Sequence, residues 1–182
     1  MNHIGIFFGT ETGTTRLIAK KIYARLGDGM AAKPLNVNRI APADLLAYDA
    51  LILGTPSYGV AQLPGRSVGC LEANWEEFLA KCPADFSLSG KRVALFGLGA
   101  QERYSERFVG SLRKLHDILV GYGAQMVGSW GTEGYIFDHS VAVVEGRFVG
   151  LVIDERTQGR ETEARLDAWV AQVKPLLLAR FD

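Results

Sequence analysis

Cysteine is scarce in this chain: Cys70 and Cys82 are the only two among 182 residues, and no C-x-x-C spacing joins them. A zinc cluster or a disulfide framework needs more thiols at closer spacing, so both are expected to stay reduced. Histidine is equally thin. His3, His116 and His139 stand far apart with no cysteine or carboxylate at ligand spacing, which argues against a metal site. An excess of either charge is missing too, since 20 Lys and Arg balance 20 Asp and Glu. The total therefore gives no pull toward nucleic acid or an anionic membrane, and any electrostatic preference must be local. No apolar run approaches the ~18 residues that a membrane span requires. The apolar stretch behind Met1-Asn2-His3 has neither a basic leader nor a small-residue cleavage site, so no secretion signal is read there. Repeats and low-complexity tracts are absent. The expectation is a soluble cytoplasmic protein whose residues 1–182 form one domain, long enough to bury roughly 70% of its unfolded surface.

What the chain does have is alternation. Residues 3–9 form a continuous apolar run ending in a turn signal, as expected of a strand covered on both faces. Over residues 13–26, Leu17, Ile18, Ile22 and Leu26 recur at helical spacing, with Arg16, Lys20, Lys21 and Arg25 on the other face. The unit then repeats. A weak strand at 34–37, a short helix at 42–47, a buried strand at 48–54 (YDALILG), a helix near 75–80 and a strand at 92–97 (RVALFG) follow. A helix is expected over 105–121, with Phe108, Leu112, Leu115, Ile118 and Leu119 as its stripe, and a fifth strand near Gln125. Strands alternating with helices imply a parallel sheet, because each parallel connection must cross over. The fold class is therefore α/β, doubly wound, with helices on both faces. Residues 131–148 break the alternation before FVGLVID (148–154) reads as strand again, which predicts an insertion splitting the fifth strand. A helix over about 161–179 closes the chain.

In an open doubly wound sheet, ligands bind beyond the carboxyl ends of the strands. The segments there are GTETGTT, GTPSYGVAQLPG and GLGAQERY. The first places four threonines and no lysine or arginine at a helix start, where backbone N–H groups and the macrodipole favour an anion. It lacks the G-x-x-x-x-G-K-[ST] of a phosphate-hydrolysing P-loop and the G-x-G-x-x-G of dinucleotide folds. The other two each put a tyrosine, Tyr58 and Tyr104, just past a strand end, where the pair could sandwich a flat ring. Taken singly, the threonines also suit an ordinary capped helix, and loop tyrosines are common. Their concurrence at one sheet edge is what points to a ligand.

These residues resemble a family. Thr10-Glu11-Thr12-Gly13-Thr14-Thr15 is similar to the phosphate loop of the flavodoxins. Thr55-Pro56-Ser57-Tyr58-Gly59 and Gly97-Leu98-Gly99-Ala100, with Tyr104, resemble the two loops that hold the isoalloxazine ring in that family. Residues 131–148 look like the insertion of its long-chain subgroup, and residues 64–74 are similar to the extra stretch of its nitrogen-fixation members. The resemblance implies a five-stranded sheet of order 2-1-3-4-5 and non-covalent FMN. The phosphate would lie at Thr10 to Thr15, the flavin between Tyr58 and Tyr104, and Asp154 near the ribityl chain. It implies a monomeric electron carrier, not an enzyme, shuttling between semiquinone and hydroquinone. Nitrogenase reductase is then the expected acceptor, and a flavodoxin reductase or pyruvate:flavodoxin oxidoreductase the expected donor. Two positions depart from the family: Thr14, where many relatives carry Lys, and Ala100, where many carry Asp.

Enclosure between tyrosines, near a phosphate dianion with no compensating cation, disfavours the anionic reduced flavin, by the desolvation and like-charge logic that raises a carboxylate pKa. A strongly reducing second couple is the expectation. The resemblance also implies that the peptide after Tyr58 rotates beside the flavin, which Gly59, tolerant of positive φ, would ease. The rival reading on the same fold is an NAD(P)H-dependent FMN quinone reductase. A phospho-receiver domain is set aside, since Gly9-Thr10 and Thr55-Pro56 stand where it needs aspartates. Around the expected flavin edge, Glu72, Glu76 and Glu77 mix with Arg66, Arg103 and Arg107, so no single-sign docking face is read.

Overall fold

The computed structural model describes residues 3–179. Its apolar runs become the centre of a parallel sheet. β1 (Ile4–Phe8) is buried throughout and leads into α1 (Thr14–Leu26), whose buried stripe is Ile18, Ala19, Ile22 and Leu26. β2 (Leu35–Asn36) is a two-residue edge strand, followed by the short α2 (Pro42–Leu46). β3 (Ala50–Thr55) is buried at every position; α3 (Trp75–Leu79) and β4 (Arg92–Leu98) come next. α4 (Gly110–Gly121) then carries the chain to β5 (Gln125–Val127).

The strand order is β2-β1-β3-β4-β5, with every pair parallel. After β5 the chain leaves the sheet and forms a small antiparallel sheet from β6 (Trp130–Gly131), β7 (Val143–Val144) and β8 (Arg147–Phe148). It returns as β9 (Leu151–Ile153), then α5 (Glu155–Gln158) and α6 (Thr162–Leu178). β5 pairs with Arg92–Ala94 and β9 with Phe96–Leu98, so the two are halves of one fifth strand on the free edge of β4. The expected split is present.

Two apolar layers flank the sheet. On one face α1 and α6 pack through Ile18, Ile22, Leu166, Trp169 and Val173; on the other, α3 and α4 pack through Trp75, Phe78, Leu112 and Leu115. Trp169 also donates its indole N–H to the Gly128 carbonyl at 2.8 Å, tying α6 to the turn after β5. Among the described residues no helix is long and apolar enough to cross a membrane.

Local differences from the sequence pattern have identifiable causes. The helix expected over 105–121 is interrupted. Ser105–Arg107 is a single 3₁₀ turn, Val109 sits at φ +49°, and α4 begins only at Gly110. A β-branched residue in that region must be held by its surroundings; Val109 is buried, and the Phe108 amide is diverted to the His139 carbonyl at 3.2 Å. Of the expected strand 148–154, Phe148 belongs to the small sheet and only Leu151–Ile153 joins the main one.

Tyr135 fastens the insertion to the sheet. Its hydroxyl donates to the Val152 carbonyl at 2.5 Å and accepts from Trp130 Nε1 at 2.9 Å. Its ring meets Phe148 edge-on at 5.1 Å, while the Arg165 guanidinium lies 3.9 Å from its centroid. Burial pushes the phenol up to about 12, against the opposing pull of Arg165. An unfolded tyrosine ionises near 10, so the folded state holds its proton longer. Stability is thus retained below pH 10 and lost between about 10 and 12. Tyr135→Phe is expected to flatten that alkaline decline by up to about 1.4 kcal/mol per pH unit, measured by urea unfolding across the range.

Candidate functional site

The first loop is shaped by what presses on it from behind. The Gly9 amide continues the sheet ladder onto the Gly54 carbonyl at 3.0 Å. A Cβ on Gly9 would fall 1.8 Å from Asn74 Oδ1, so the glycine is required by a buried asparagine. Asn74 Nδ2 in turn donates to the Thr10 carbonyl at 3.3 Å. Thr10 Oγ1 accepts from the Gly13 amide at 3.0 Å, and Gly13, at φ +95°, turns the chain into α1. No side chain caps α1. Its first-turn amides have no intrahelical acceptor and are presented, with the dipole, to whatever lies in front. Glu11 Oε1 accepts from the Leu71 amide at 2.8 Å, while Oε2 is buried without a partner among the described residues.

The second loop follows β3. Thr55 is buried and its hydroxyl donates to the Pro56 carbonyl at 2.8 Å. Ser57 Oγ is buried with no partner among the described residues. The Tyr58 amide donates to Ser111 Oγ at 2.9 Å, and Gly59 lies in the left-handed region at φ +55°. Burial, followed by the neighbouring Cys70 and Glu11, pushes the Tyr58 phenol up to about 12. That hydroxyl therefore stays neutral at any ordinary pH. Cys70 is buried and Cys82 half-buried, both as free thiols.

The third loop leaves β4 along β9, with the Gly99 amide on the Ile153 carbonyl at 3.1 Å. Asp154 anchors it from below. This fully buried carboxylate accepts from the Gln101 amide through Oδ2 and from the Thr157 amide through Oδ1, both at 2.9 Å. Tyr104 stands at the rim, with the Arg103 and Arg107 guanidiniums 5.4 and 5.1 Å from its ring centroid. Such cation–π contacts stiffen an exposed aromatic at modest energy.

The three loops enclose a cavity of about 540 Å³, within the range of small-molecule sites. Of the residues expected there, all line it except Gly13, Thr55, Gly97 and Asp154. Gly13 shapes the turn, and Thr55 is buried at the end of its strand. Gly97 has the Leu112 side chain where a Cβ would stand. Asp154 lies under the site and holds it together, so the structure does not place its carboxylate on the cavity wall.

Six further residues line it: Arg103, Arg107, Val109, Ile153, Glu155 and Arg156. The arginines change the electrostatic picture. The first loop has no cation of its own, but the cavity does, and three guanidiniums stand against Glu11 and Glu155. Arg103 and Arg107 were legible only as part of the mixed charge around the expected flavin edge. Arg156 had no sequence signal, because it reaches the cavity only through the helical turn that Asp154 caps.

The arrangement offers an anion seat at the start of α1 and two aromatic side chains for a flat ring. The family model described as Flavodoxin matches residues 6–169. A flavodoxin of Klebsiella pneumoniae is 51% identical over 178 residues, covering 98% of this chain and 100% of its own. One from Synechocystis sp. is 37% identical over 177 residues, covering 97% and 99%. The crystal structure of Fusobacterium nucleatum flavodoxin bound to flavin mononucleotide is 32% identical, with a TM-score of 0.84 over 97% of this chain and 99% of that one. On the motifs, the sheet order and these likenesses together, the chain belongs to the flavodoxin family.

Proposed function

We propose that this protein is a one-electron carrier that holds FMN non-covalently and is not itself an enzyme. The observation that carries the reading is the meeting, in one cavity, of an uncapped helix start with two tyrosine-bearing loops. The residues fit the cofactor. Orphaned donors or acceptors at Ser57 Oγ and Glu11 Oε2 would find partners on a polar ligand there. FMN would supply the one-electron chemistry; the chain supplies grip, enclosure and field. Thr10, Thr12, Thr14 and Thr15 hold the phosphate with hydroxyls and first-turn amides. Tyr58 and Tyr104 would flank the ring and exclude water from it, and the small Gly99 and Ala100 would let backbone approach it. Gly59 can turn its peptide at little conformational cost.

The field is mixed. Phosphate and a low-dielectric enclosure oppose negative charge on the ring, whereas Arg103, Arg107 and Arg156 favour it. The chain is read as one domain over residues 1–182, a monomer in the cytoplasm. Its acceptor is nitrogenase reductase, and its donor a flavodoxin reductase or a pyruvate:flavodoxin oxidoreductase. The resemblance of residues 64–74 to the nitrogen-fixation members supports the acceptor, and these residues touch the first loop through Glu11 and Leu71.

Stepwise reduction of the purified yellow protein should proceed in two resolved one-electron stages, with no bleaching by NADH or NADPH alone. Rapid bleaching by either would favour the quinone reductase. Arg103→Gln with Arg107→Gln should lower the second one-electron potential, each by about 20 mV if the charge contributes about 0.5 kcal/mol. Equal potentials would show that these guanidiniums do not reach the ring electrostatically. Chemically reduced protein should sustain acetylene reduction by nitrogenase as its only electron source. Turnover no faster than with free FMN would refute that acceptor.

A further inference from the structure

The wall formed by residues 58–62 depends on α4 for its shape. Tyr58 and Gln62 face each other as an isolated antiparallel bridge, and their own contact is long, 3.4 Å from the Gln62 amide to the Tyr58 carbonyl. Ser111, in the first turn of α4 and fully buried, supplies the closure. Its hydroxyl accepts from the Tyr58 amide at 2.9 Å and donates to the Gln62 carbonyl at 2.5 Å. One oxygen thus fastens both ends of the loop.

Gly110 adds a second contact of the same kind. A Cβ there would lie 2.9 Å from Ala61 Cα and 3.0 Å from its nitrogen, so the helix start and the loop backbone touch directly. Inside the neck, Gly59 and Ala61 both sit at φ +55°, and Val60 projects outward, 67% exposed. Alanine holds a left-handed conformation only where its surroundings impose it.

We propose that Ser111 is a positioning residue for the redox site: it fixes the neck of the 58–62 loop so that only the peptides around Gly59 can respond to the charge state of the flavin. This rests on the FMN-carrier reading. A hydroxyl that accepts from one side of a loop and donates to the other has no apolar substitute. Its removal takes their partner from the part-buried Tyr58 N–H and Gln62 C=O. With the neck fixed, one loop arrangement can favour the product of the first electron over the oxidised and fully reduced forms. With the neck loose, competing arrangements dilute that preference, because a conformational bias is only as large as the population that carries it.

The test uses FMN-loaded wild type, Ser111→Ala and Trp169→Phe. The last loses a buried hydrogen bond to Gly128 far from the loop. Ser111→Ala should shrink the separation between the two one-electron potentials by about 59 mV, a tenfold fall in the equilibrium constant it sets. Amide exchange at residues 58–62 should quicken in parallel, while Trp169→Phe leaves both unchanged. An unaltered separation in Ser111→Ala overturns the proposal, whether or not the loop has loosened. Equal narrowing in Trp169→Phe also overturns it, since general destabilisation would then be the cause. Should Ser111→Ala not fold, Ser111→Cys keeps a weak donor in nearly the same volume and should narrow the separation less. Failure of the wild type to retain FMN would refute the carrier reading itself, a result that the potentials of the variants cannot mimic.

Discussion

The carbonyl of Gly54 is the point from which the site is built. It accepts the Gly9 amide at 3.0 Å and the Trp75 indole N–H at 2.8 Å. One acceptor therefore joins the first loop, the end of β3 and the helix behind them. The position has to be glycine, because the Phe96 ring of the neighbouring strand lies within 2.0 Å of where a Cβ would be. Packing on one side thus frees the backbone on the other to serve two donors, as the two lone pairs of a carbonyl permit. The buried Asn74, next to Trp75, extends the arrangement by filling the space over Gly9 and holding the Thr10 carbonyl.

Much of this was readable in advance where a residue's local pattern and its tertiary role coincide. The apolar runs at 3–9, 48–54 and 92–97 became the three central strands because burial on both faces leaves a period-free signature. The three loops were legible because strand ends in such a sheet converge by topology alone. Illegible features depend on contacts between distant segments. The helix expected from Ser105 stops because the Phe108 amide is claimed by His139, thirty-one positions away, a competition that no spacing rule records. The resemblance put Asp154 near the ribityl chain but carried no sign of its role as a buried strut, whose two acceptor bonds go to Gln101 and Thr157. Arg156 reaches the cavity because of that strut.

Charge tells a similar story at a coarser scale. Total neutrality concealed a local distribution in which a cation-free loop shares the cavity with Arg103 and Arg107 of the third loop and Arg156 of α5. An anion seated at the start of α1 would feel the dipole and amides at contact range and the arginines from across the cavity. Grip and field can therefore vary independently. Substituting an arginine alters the potential across the site without removing a hydrogen bond from the seat, and substituting a threonine does the reverse.

The split fifth strand carries a consequence for how such a chain can change over time. Its two halves pair with β4 at Ala94 and Phe96, two residues apart, so the chain leaves and re-enters the sheet at nearly the same place. An excursion with coincident ends can be lengthened, shortened or exchanged without moving the strand edge from which it departs. Yet the Ile136 amide donates to Gln101 Oε1 at 2.7 Å, in the loop that carries Tyr104. The excursion is geometrically separable and mechanically attached. A change within it would be felt at the loop that borders the cavity.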